Sequence, residues 1–131
     1  MKITLLADDR LRLEEDGGAL SIEAASDGVA YSAFHMMAGG LATCTLSVMH
    51  SWASAAGLDA NGLAIEIGWS FADEPKRVGR YQIAIHWPGL APNRLAAAQR
   101  VADQCTVKTT FKHPPDISTE VLTSPPEASA A

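Results

Sequence analysis

The chain has 131 residues, of which 47% are hydrophobic and 19% are charged, and its formal net charge is −5. This length fits one domain, and this composition excludes a chain that is disordered throughout. The chain is acidic and its 10 Lys and Arg residues are scattered, so the sequence shows no basic patch that would bind nucleic acid or an anionic membrane surface. We therefore predict one globular domain over residues 1–122 and a disordered tail over 123–131.

The N-terminus, MKITLLADDR, has one lysine and then a short apolar run that two aspartates break. A secretory signal has a longer and uninterrupted apolar region. The longest later apolar stretch is interrupted by His35, His50 and Ser51, so it does not reach transmembrane length. We expect a cytoplasmic protein that does not bind a membrane.

Short alternating patterns open the chain. KITLLA (2–7) and RLRLE (10–14) alternate as half-buried strands do, and EDGGA then marks a turn. The segment ALSIEA (19–24) follows as the returning arm of a hairpin. The N-terminal part is therefore predicted to be a small set of strands.

A long helix comes next. Ser32 is the predicted N-cap, the helix runs to Ala56, and Gly57 closes it. At about 100° per residue, several small or apolar residues lie within about 60° of Cys44. They are Met37, Leu41, Val48, Ser51 and Ala55. They form one long stripe of apolar and small residues with the Cys44 thiol at its centre.

Two features of this helix point to close packing. Gly39 and Gly40 cost helix stability, which predicts the close approach of another backbone. The helix also carries more apolar surface than one short sheet can cover. We therefore infer a homodimer in which helices pack across the interface.

The second half of the chain alternates strand and helix patterns. LAIEIGWSF (63–71) and RYQIAIHW (80–87) predict a β-hairpin. A second helix is predicted from Pro92 to Gln104, with Cys105 at its end. The β-branched residues that follow predict a final strand near Ile117 to Leu122. This order of elements indicates an α+β fold.

Cys44 and Cys105 are the two cysteines of the chain. Without a secretory signal, a structural disulfide is not the default interpretation. Two cysteines far apart are also too few for a zinc site on their own. From the residues alone, they are either buried small hydrophobes or a redox pair.

Three stretches together resemble the osmotically inducible protein C and organic hydroperoxide resistance (OsmC/Ohr-like) family. They are FHMMAGGLATCTLSVMHSWASAAGL, GLAIEIGWSFADEPKRVGRYQIAIHWPGL and RLAAAQRVADQCTVKTTFKHPPDI, in that order. The resemblance implies an intertwined α+β homodimer with two active sites at its interface. It implies thiol-dependent reduction of organic hydroperoxides, in which Cys44 matches the peroxidatic cysteine and Cys105 the resolving one.

The implied reaction needs two thiols and no metal or bound organic cofactor. A thiolate cleaves the peroxide O–O bond and becomes a sulfenic acid, which a second thiol converts to a disulfide. An external dithiol then resets the pair by exchange. The resemblance suggests a lipoylated protein as that reductant. The peroxide substrate, the dithiol and a second copy of the chain are the expected partners.

The attacking thiol needs a positive neighbour, because a free cysteine is mostly protonated at neutral pH. The family uses an arginine from the N-terminal strands, held by a glutamate near the start of the cysteine helix. Phe34 and His35 stand at the two candidate positions for that carboxylate. Arg10 and Arg12, which lie in the first strands, are the candidate arginines, and His35 is a candidate base if the helix begins after Gly39 or Gly40.

The second cysteine motif also departs from the family pattern. Thr106 follows Cys105 where the family has proline, and Lys108 stands where histidine or serine is common. Lys108 either lies near Cys105 or is an exposed lysine, and we expect the second.

Phe34, Met37 and Trp52 are candidate pocket residues, and their apolar side chains would suit a bulky organic peroxide better than hydrogen peroxide. Two alternatives stay open. The chain could be a small-molecule-binding or non-peroxidase protein of this fold, because the family's Arg–Glu pair is not matched and a fold does not fix a function. Alternatively, both cysteines could have a purely structural role in a core.

Overall fold

The computed structural model describes residues 2–7, 10–14, 21–24 and 33–126, and gives the first three ranges as strand backbone. The chain divides into two compact units, one of residues 1–36 with 116–131 and the other of residues 37–115. Both cysteines lie in the second unit. The predicted single domain over 1–122 stays a prediction, and residues 127–131 of the predicted tail lie outside the described residues.

The first unit contains a three-stranded antiparallel sheet in the order β1–β2–β3. Its strands are β1 (Lys2–Ala7), β2 (Arg10–Glu14) and β3 (Ser21–Ala24). Each strand pairs with the next along the chain, as short turns between alternating segments dictate. The predicted N-terminal strands are therefore confirmed.

Helix α1 (Ala33–Ala56) runs without a break through both of its glycines. It ends as predicted at Gly57, which has φ +66 and so adopts the left-handed conformation that closes helices. The Leu58 amide then donates to the Ala53 carbonyl at 2.8 Å. The predicted N-cap, Ser32, lies outside the described residues.

The buried face of α1 coincides only in part with the stripe centred on Cys44. The buried residues of the helix are Ala38, Leu41, Thr45, Met49 and Ala53. They are centred about 120° around the helix axis from Cys44. Within the stripe, Leu41 is buried and Val48 packs half-buried against the core, whereas Met37, Ser51 and Ala55 are exposed. Small residues occur on several faces of this helix, so apolar character alone does not single out the packed one.

Gly40 does not show the predicted close approach of a backbone. A Cβ atom added there would meet no atom within 4 Å among the described residues.

The predicted hairpin is confirmed as β4 (Ala64–Ala72) and β5 (Arg77–His86), which pair antiparallel. Half-buried and exposed residues alternate along both strands, because one face packs on the helices and the other does not. Gly79 is required next to the turn: a Cβ atom there would lie 2.6 Å from the Ala72 Cβ.

The second predicted helix is also present. A short 3-10 turn at Pro92–Arg94 leads into α2 (Leu95–Ala102), and Cys105 follows three residues later. Met49, Ala98 and Ala102 form the centre of the core. Half-buried side chains from α1, α2, the hairpin and the loops pack around them: Val48, Trp52, Leu63, Ile85, Trp87, Leu90 and Val101.

The segment after Cys105 corrects a prediction. A third helix, α3 (Thr106–Lys112), stands where β-branched residues favoured extended chain. The hydroxyls of Thr109 and Thr110 donate to carbonyls four residues earlier, at 3.3 and 2.8 Å, and so fit into the helix. The predicted strand near Ile117 to Leu122 is wrong, because residues 113–126 form no strand.

The described elements are helices and antiparallel strands, so the α+β class is confirmed. The intertwined homodimer stays a prediction. No helix among the described residues is long and apolar enough to cross a membrane.

Candidate active site

Cys105 lies in the corner between α2 and α3. Its backbone is extended, with φ −62 and ψ 121, which breaks the helical path and lets it cap α3. Its sulfur accepts a hydrogen bond from the Lys108 amide at 3.4 Å. The residue is 0% exposed. The corner therefore holds this sulfur in one place inside the second unit.

Helix α1 presents three groups to that sulfur. The Cys105 Sγ lies 4.0 Å from the Leu41 carbonyl oxygen. Cys44 and Thr45, neighbours on α1, both lie close enough to the Cys105 sulfur to lower the pKa of that thiol. The two cysteines, which are far apart in the sequence, are thus direct neighbours, and both are free thiols.

The surroundings of Cys105 favour its ionised form. Burial raises the pKa of the thiol, but hydrogen bonds to the sulfur outweigh burial, and the net direction is downward. These bonds come from the Cys44 thiol, the Lys108 amide, the Thr45 hydroxyl and the Val107 amide. These neighbours therefore favour the thiolate of Cys105 more than water would around a free cysteine.

Lys108 is not the exposed lysine that we expected, since only 17% of its side chain is exposed. Its Nζ donates to the Ala102 carbonyl at 3.0 Å and to the Asp103 carboxylate at 3.2 Å. The first bond satisfies an unpaired carbonyl at the end of α2. Lys108 therefore fixes the corner with its side chain and contacts the sulfur with its backbone.

Phe111 anchors α3 to the hairpin. Its ring stacks on that of Tyr81, with the ring centroids 5.6 Å apart. The corner that carries Cys105 is therefore held by both the α2 side and the β5 side of the second unit.

The candidate arginines lie on β2, in the other unit. Arg10 and Arg12 are two residues apart, so they share one face of the strand. In the backbone register, Arg12 lies opposite Thr4 of β1 and Glu23 of β3. The side chains of these strands lie outside the described residues, so the arginines' approach to Cys44 stays a prediction.

His35 lies on the continuous part of α1, nine residues before Cys44 and about 180° around the axis from it. The condition that would let it turn toward the thiol, a helix beginning after Gly39 or Gly40, is not met.

The three candidate pocket residues are not gathered in one described pocket. Phe34 is 39% exposed and Met37 is 42% exposed on α1. Trp52 instead packs edge-on against Trp87, with ring centroids 5.8 Å apart, as part of the core. Their role toward a substrate stays a prediction.

A separate pocket of about 590 Å³ lies between β5 and α2. Its wall is mostly apolar, with Lys108, Asp103 and Gln99 at its polar end. Neither cysteine lines it. In the part of the chain with described side chains, no three His, Cys, Asp or Glu residues gather in a group that could hold a metal ion.

Sequence reasoning identified the two cysteines but missed Thr45. The sequence feature that could have pointed to Thr45 is its position: a hydroxyl residue four positions after Leu41, within a stripe of otherwise apolar residues. Thr45 is 0% exposed and donates to the Leu41 carbonyl at 2.9 Å. Its contact with Cys105 depends on where the α2–α3 corner lies, and no local pattern gives that.

The family model for OsmC-like proteins matches residues 25–120 of this chain. The chain is similar to the crystal structure of a protein from Psychrobacter arcticus 273-4 that is named for osmotic stress induction and a detoxification response. The two share 24% identity and a TM-score of 0.74, over 83% of this chain and 85% of that one.

A second similar crystal structure is that of a protein from Lactobacillus casei ATCC 334 named as a redox protein. It shares 15% identity and a TM-score of 0.55, over 86% of this chain and 83% of that one. No curated protein gives a significant match. At these identities the two structures show a shared fold.

Proposed function

We propose that this chain, which belongs to the OsmC-like protein family, reduces organic hydroperoxides with Cys44 as the attacking thiol and Cys105 as the resolving thiol. The observation that carries the proposal is that these two free thiols are neighbours: Cys44 on α1 lies close enough to Cys105, in the α2–α3 corner, to lower its pKa. The names of the two similar structures, which refer to detoxification and redox chemistry, point the same way.

The exposure of the two thiols supports this division of roles. Cys44 is partly exposed on α1, so a hydroperoxide can reach its sulfur. Cys105 is fully buried, so it meets an oxidised Cys44 more readily than a dissolved peroxide. The thiol with the favoured thiolate form is thus placed where it can attack a sulfenic acid on Cys44.

The first step forms one bond and breaks one. The Cys44 thiolate attacks one peroxide oxygen, an S–O bond forms, and the O–O bond breaks. The released alkoxide takes a proton and leaves as the alcohol, and Cys44 becomes a sulfenic acid.

The second step forms the disulfide. The Cys105 thiolate attacks the Cys44 sulfur, an S–S bond forms, and the S–O bond breaks. The oxygen leaves as hydroxide, which takes up one proton to become water. An external dithiol, for which a lipoylated protein is our candidate, then reduces the disulfide by exchange and returns both thiols.

Ionisation of the attacking thiol calls for a positive charge near Cys44. We assign this role to Arg10 or Arg12 of β2, with His35 as the weaker candidate because of its position on α1.

The exposed apolar side chains of α1 support a homodimer and an organic substrate. Phe34, Met37 and Leu46 are exposed large hydrophobic residues on this helix. Covering them with a second copy would remove apolar surface from water. In that dimer, Phe34 and Met37 would contact the organic part of the peroxide, and Trp52, further along α1, is the third candidate residue. We place this activity in the cytoplasm.

The test is consumption of cumene hydroperoxide with dihydrolipoamide as reductant. We expect turnover by the wild-type protein and none by Cys44→Ser, because an alcohol does not replace a thiolate in the first step. Thr43→Ser, next to Cys44 on an exposed position of α1, is the matched control and should keep full activity. Hydrogen peroxide should be consumed more slowly than the organic peroxide. Absence of turnover by a folded wild-type protein would overturn the proposal.

A small-molecule-binding role is the second candidate function. The pocket of about 590 Å³ between β5 and α2 favours it, because it is apolar and is lined by neither cysteine. This role would be supported if the folded protein showed no turnover but bound an apolar ligand, and if substitution of Leu95 or Ile83 in the pocket weakened that binding.

A further inference from the structure

One carbonyl oxygen in the site receives two side-chain donors. The Thr45 hydroxyl donates to the Leu41 carbonyl at 2.9 Å, and the Cys105 Sγ lies 4.0 Å from the same oxygen. Thr45 and Cys105 are both 0% exposed, so no solvent molecule competes for these groups. The hydroxyl, the thiol and the carbonyl form a closed set of three, which we call the Leu41–Thr45–Cys105 cluster.

The protonation of Cys105 changes what this cluster can do. A thiol can donate a weak hydrogen bond to the Leu41 carbonyl, but a thiolate can only accept. The Thr45 hydroxyl has one proton and can turn it toward the carbonyl or toward the sulfur. Hydrogen bonds to a charged acceptor are stronger than those to a neutral one.

We propose that Thr45 is a positioning residue for the resolving cysteine: its hydroxyl donates to the Leu41 carbonyl while Cys105 is a thiol and turns to donate to the sulfur when Cys105 becomes a thiolate. In the second state the Leu41 carbonyl has no side-chain donor, because the thiolate cannot donate and the hydroxyl has turned away, but its backbone bond within α1 remains. The hydroxyl thus moves to the buried acceptor that carries the charge.

This inference deepens the proposed function and rests on it, because only a thiolate at Cys105 attacks the sulfenic acid. When the S–S bond forms, Cys105 loses its negative charge and the hydroxyl returns to the carbonyl. Thr45 therefore stabilises the state just before the disulfide and not the disulfide itself. Its effect falls on the resolving step and leaves the attack by Cys44 unchanged.

The charged and titratable groups near Cys105 come from two sides. Cys44 faces it from α1. On the α2–α3 side, the Lys108 ammonium is paired with the Asp103 carboxylate at 3.2 Å, so their charges largely offset each other. The hydroxyl of Thr45 is thus a neutral group whose removal changes no charge at the site.

The experiment measures the thiolate of Cys105 by its ultraviolet absorbance across a pH series. It uses the full chain with Cys44→Ser, in which Cys105 is the remaining thiol and position 44 keeps a hydroxyl donor. Thr45→Val, which has the same shape without the hydroxyl, and Thr45→Ser, which keeps the hydroxyl, are added separately. Ser47→Ala is the matched control, because Ser47 makes the same kind of bond to the Thr43 carbonyl at 2.9 Å but is exposed.

We expect Thr45→Val to move the Cys105 titration to higher pH. At pH values below the midpoint, the fraction of thiolate should fall about tenfold, which is the effect of losing one hydrogen bond to an anion. Thr45→Ser and Ser47→Ala should titrate like the parent protein. Coincident titrations of Thr45→Val and the parent would overturn the inference. So would an equal shift in Thr45→Ser, since the methyl group would then be responsible.

The titration needs no peroxide, so it separates this inference from the proposed function. Turnover by the wild-type protein with an unchanged titration in Thr45→Val would leave the peroxidase proposal standing and remove the role of Thr45. If Thr45→Val does not fold, Thr45→Ala provides the hydroxyl-free variant, with the same expected and contradicting results.

Discussion

Cys44 lies in the middle of α1 with part of its side chain exposed, whereas Cys105 lies in the corner between α2 and α3 with no exposed surface. Each sulfur is fixed by a different means. A regular helix places Cys44, while Cys105 depends on an extended residue between two short helices and on the amide of Lys108.

This contrast explains how two thiols in contact can have different tasks. Access to a dissolved peroxide requires exposure, which only Cys44 has. A stable thiolate requires donors, and Cys105 has them from both α1 and α3. Cys44 must also ionise for the first step, for which we proposed Arg10 or Arg12, whereas the donors around Cys105 serve the second step.

Among the variants that test the different roles of the two thiols, Cys105→Ser is expected to have the largest effect on peroxide consumption. Cys44 would still attack, but its sulfenic acid would have no partner thiol within the chain. We expect about one equivalent of cumene hydroperoxide to be consumed per protein, followed by further oxidation of Cys44 to sulfinic acid under excess peroxide. The amount of peroxide consumed per protein measures the first expectation, and the mass of the Cys44 peptide measures the oxidation state of Cys44. Sustained wild-type turnover without Cys105 would show that the two thiols do not share the reaction.

A smaller effect concerns stability and pH. Because the folded state lowers the pKa of Cys105, the unfolded chain holds this proton to higher pH than the folded chain does. The free energy of unfolding of the reduced protein should therefore rise with pH between the lowered pKa and the ordinary value for a thiol. It should lose this contribution as the pH falls through the lowered pKa.

Urea unfolding of the reduced wild-type protein and of Cys105→Ser, at several pH values, measures this contribution. We expect the stability difference between the two proteins to shift in favour of the wild type as the pH rises. A difference that stays constant with pH would contradict the favoured thiolate at Cys105.

The parts of the fold with one clear periodicity could be predicted from the sequence. The β4–β5 hairpin alternates over its whole length, and α1 ends at a glycine that the left-handed conformation requires. The segment after Cys105 has no such signal. Its threonines favour a strand by propensity, but their hydroxyls bond back to carbonyls four residues earlier and form α3.

The face of α1 shows a second limit of sequence reasoning. Met37 and Ser51 lie in the apolar and small-residue stripe around Cys44, but both are exposed, whereas Thr45 and Met49 are buried. Which face packs is decided by where α2 and the hairpin lie, and that is information from distant parts of the chain. The same dependence explains why both cysteines could be identified while Thr45 was missed.

The most direct test of the account is the product of stoichiometric oxidation. The reduced wild-type protein is treated with one equivalent of cumene hydroperoxide, then alkylated, digested and examined by mass spectrometry. We predict a disulfide that joins the Cys44 and Cys105 peptides of one chain. Two alkylated thiols after the peroxide has been consumed, or a disulfide between two copies of Cys44, would contradict the account.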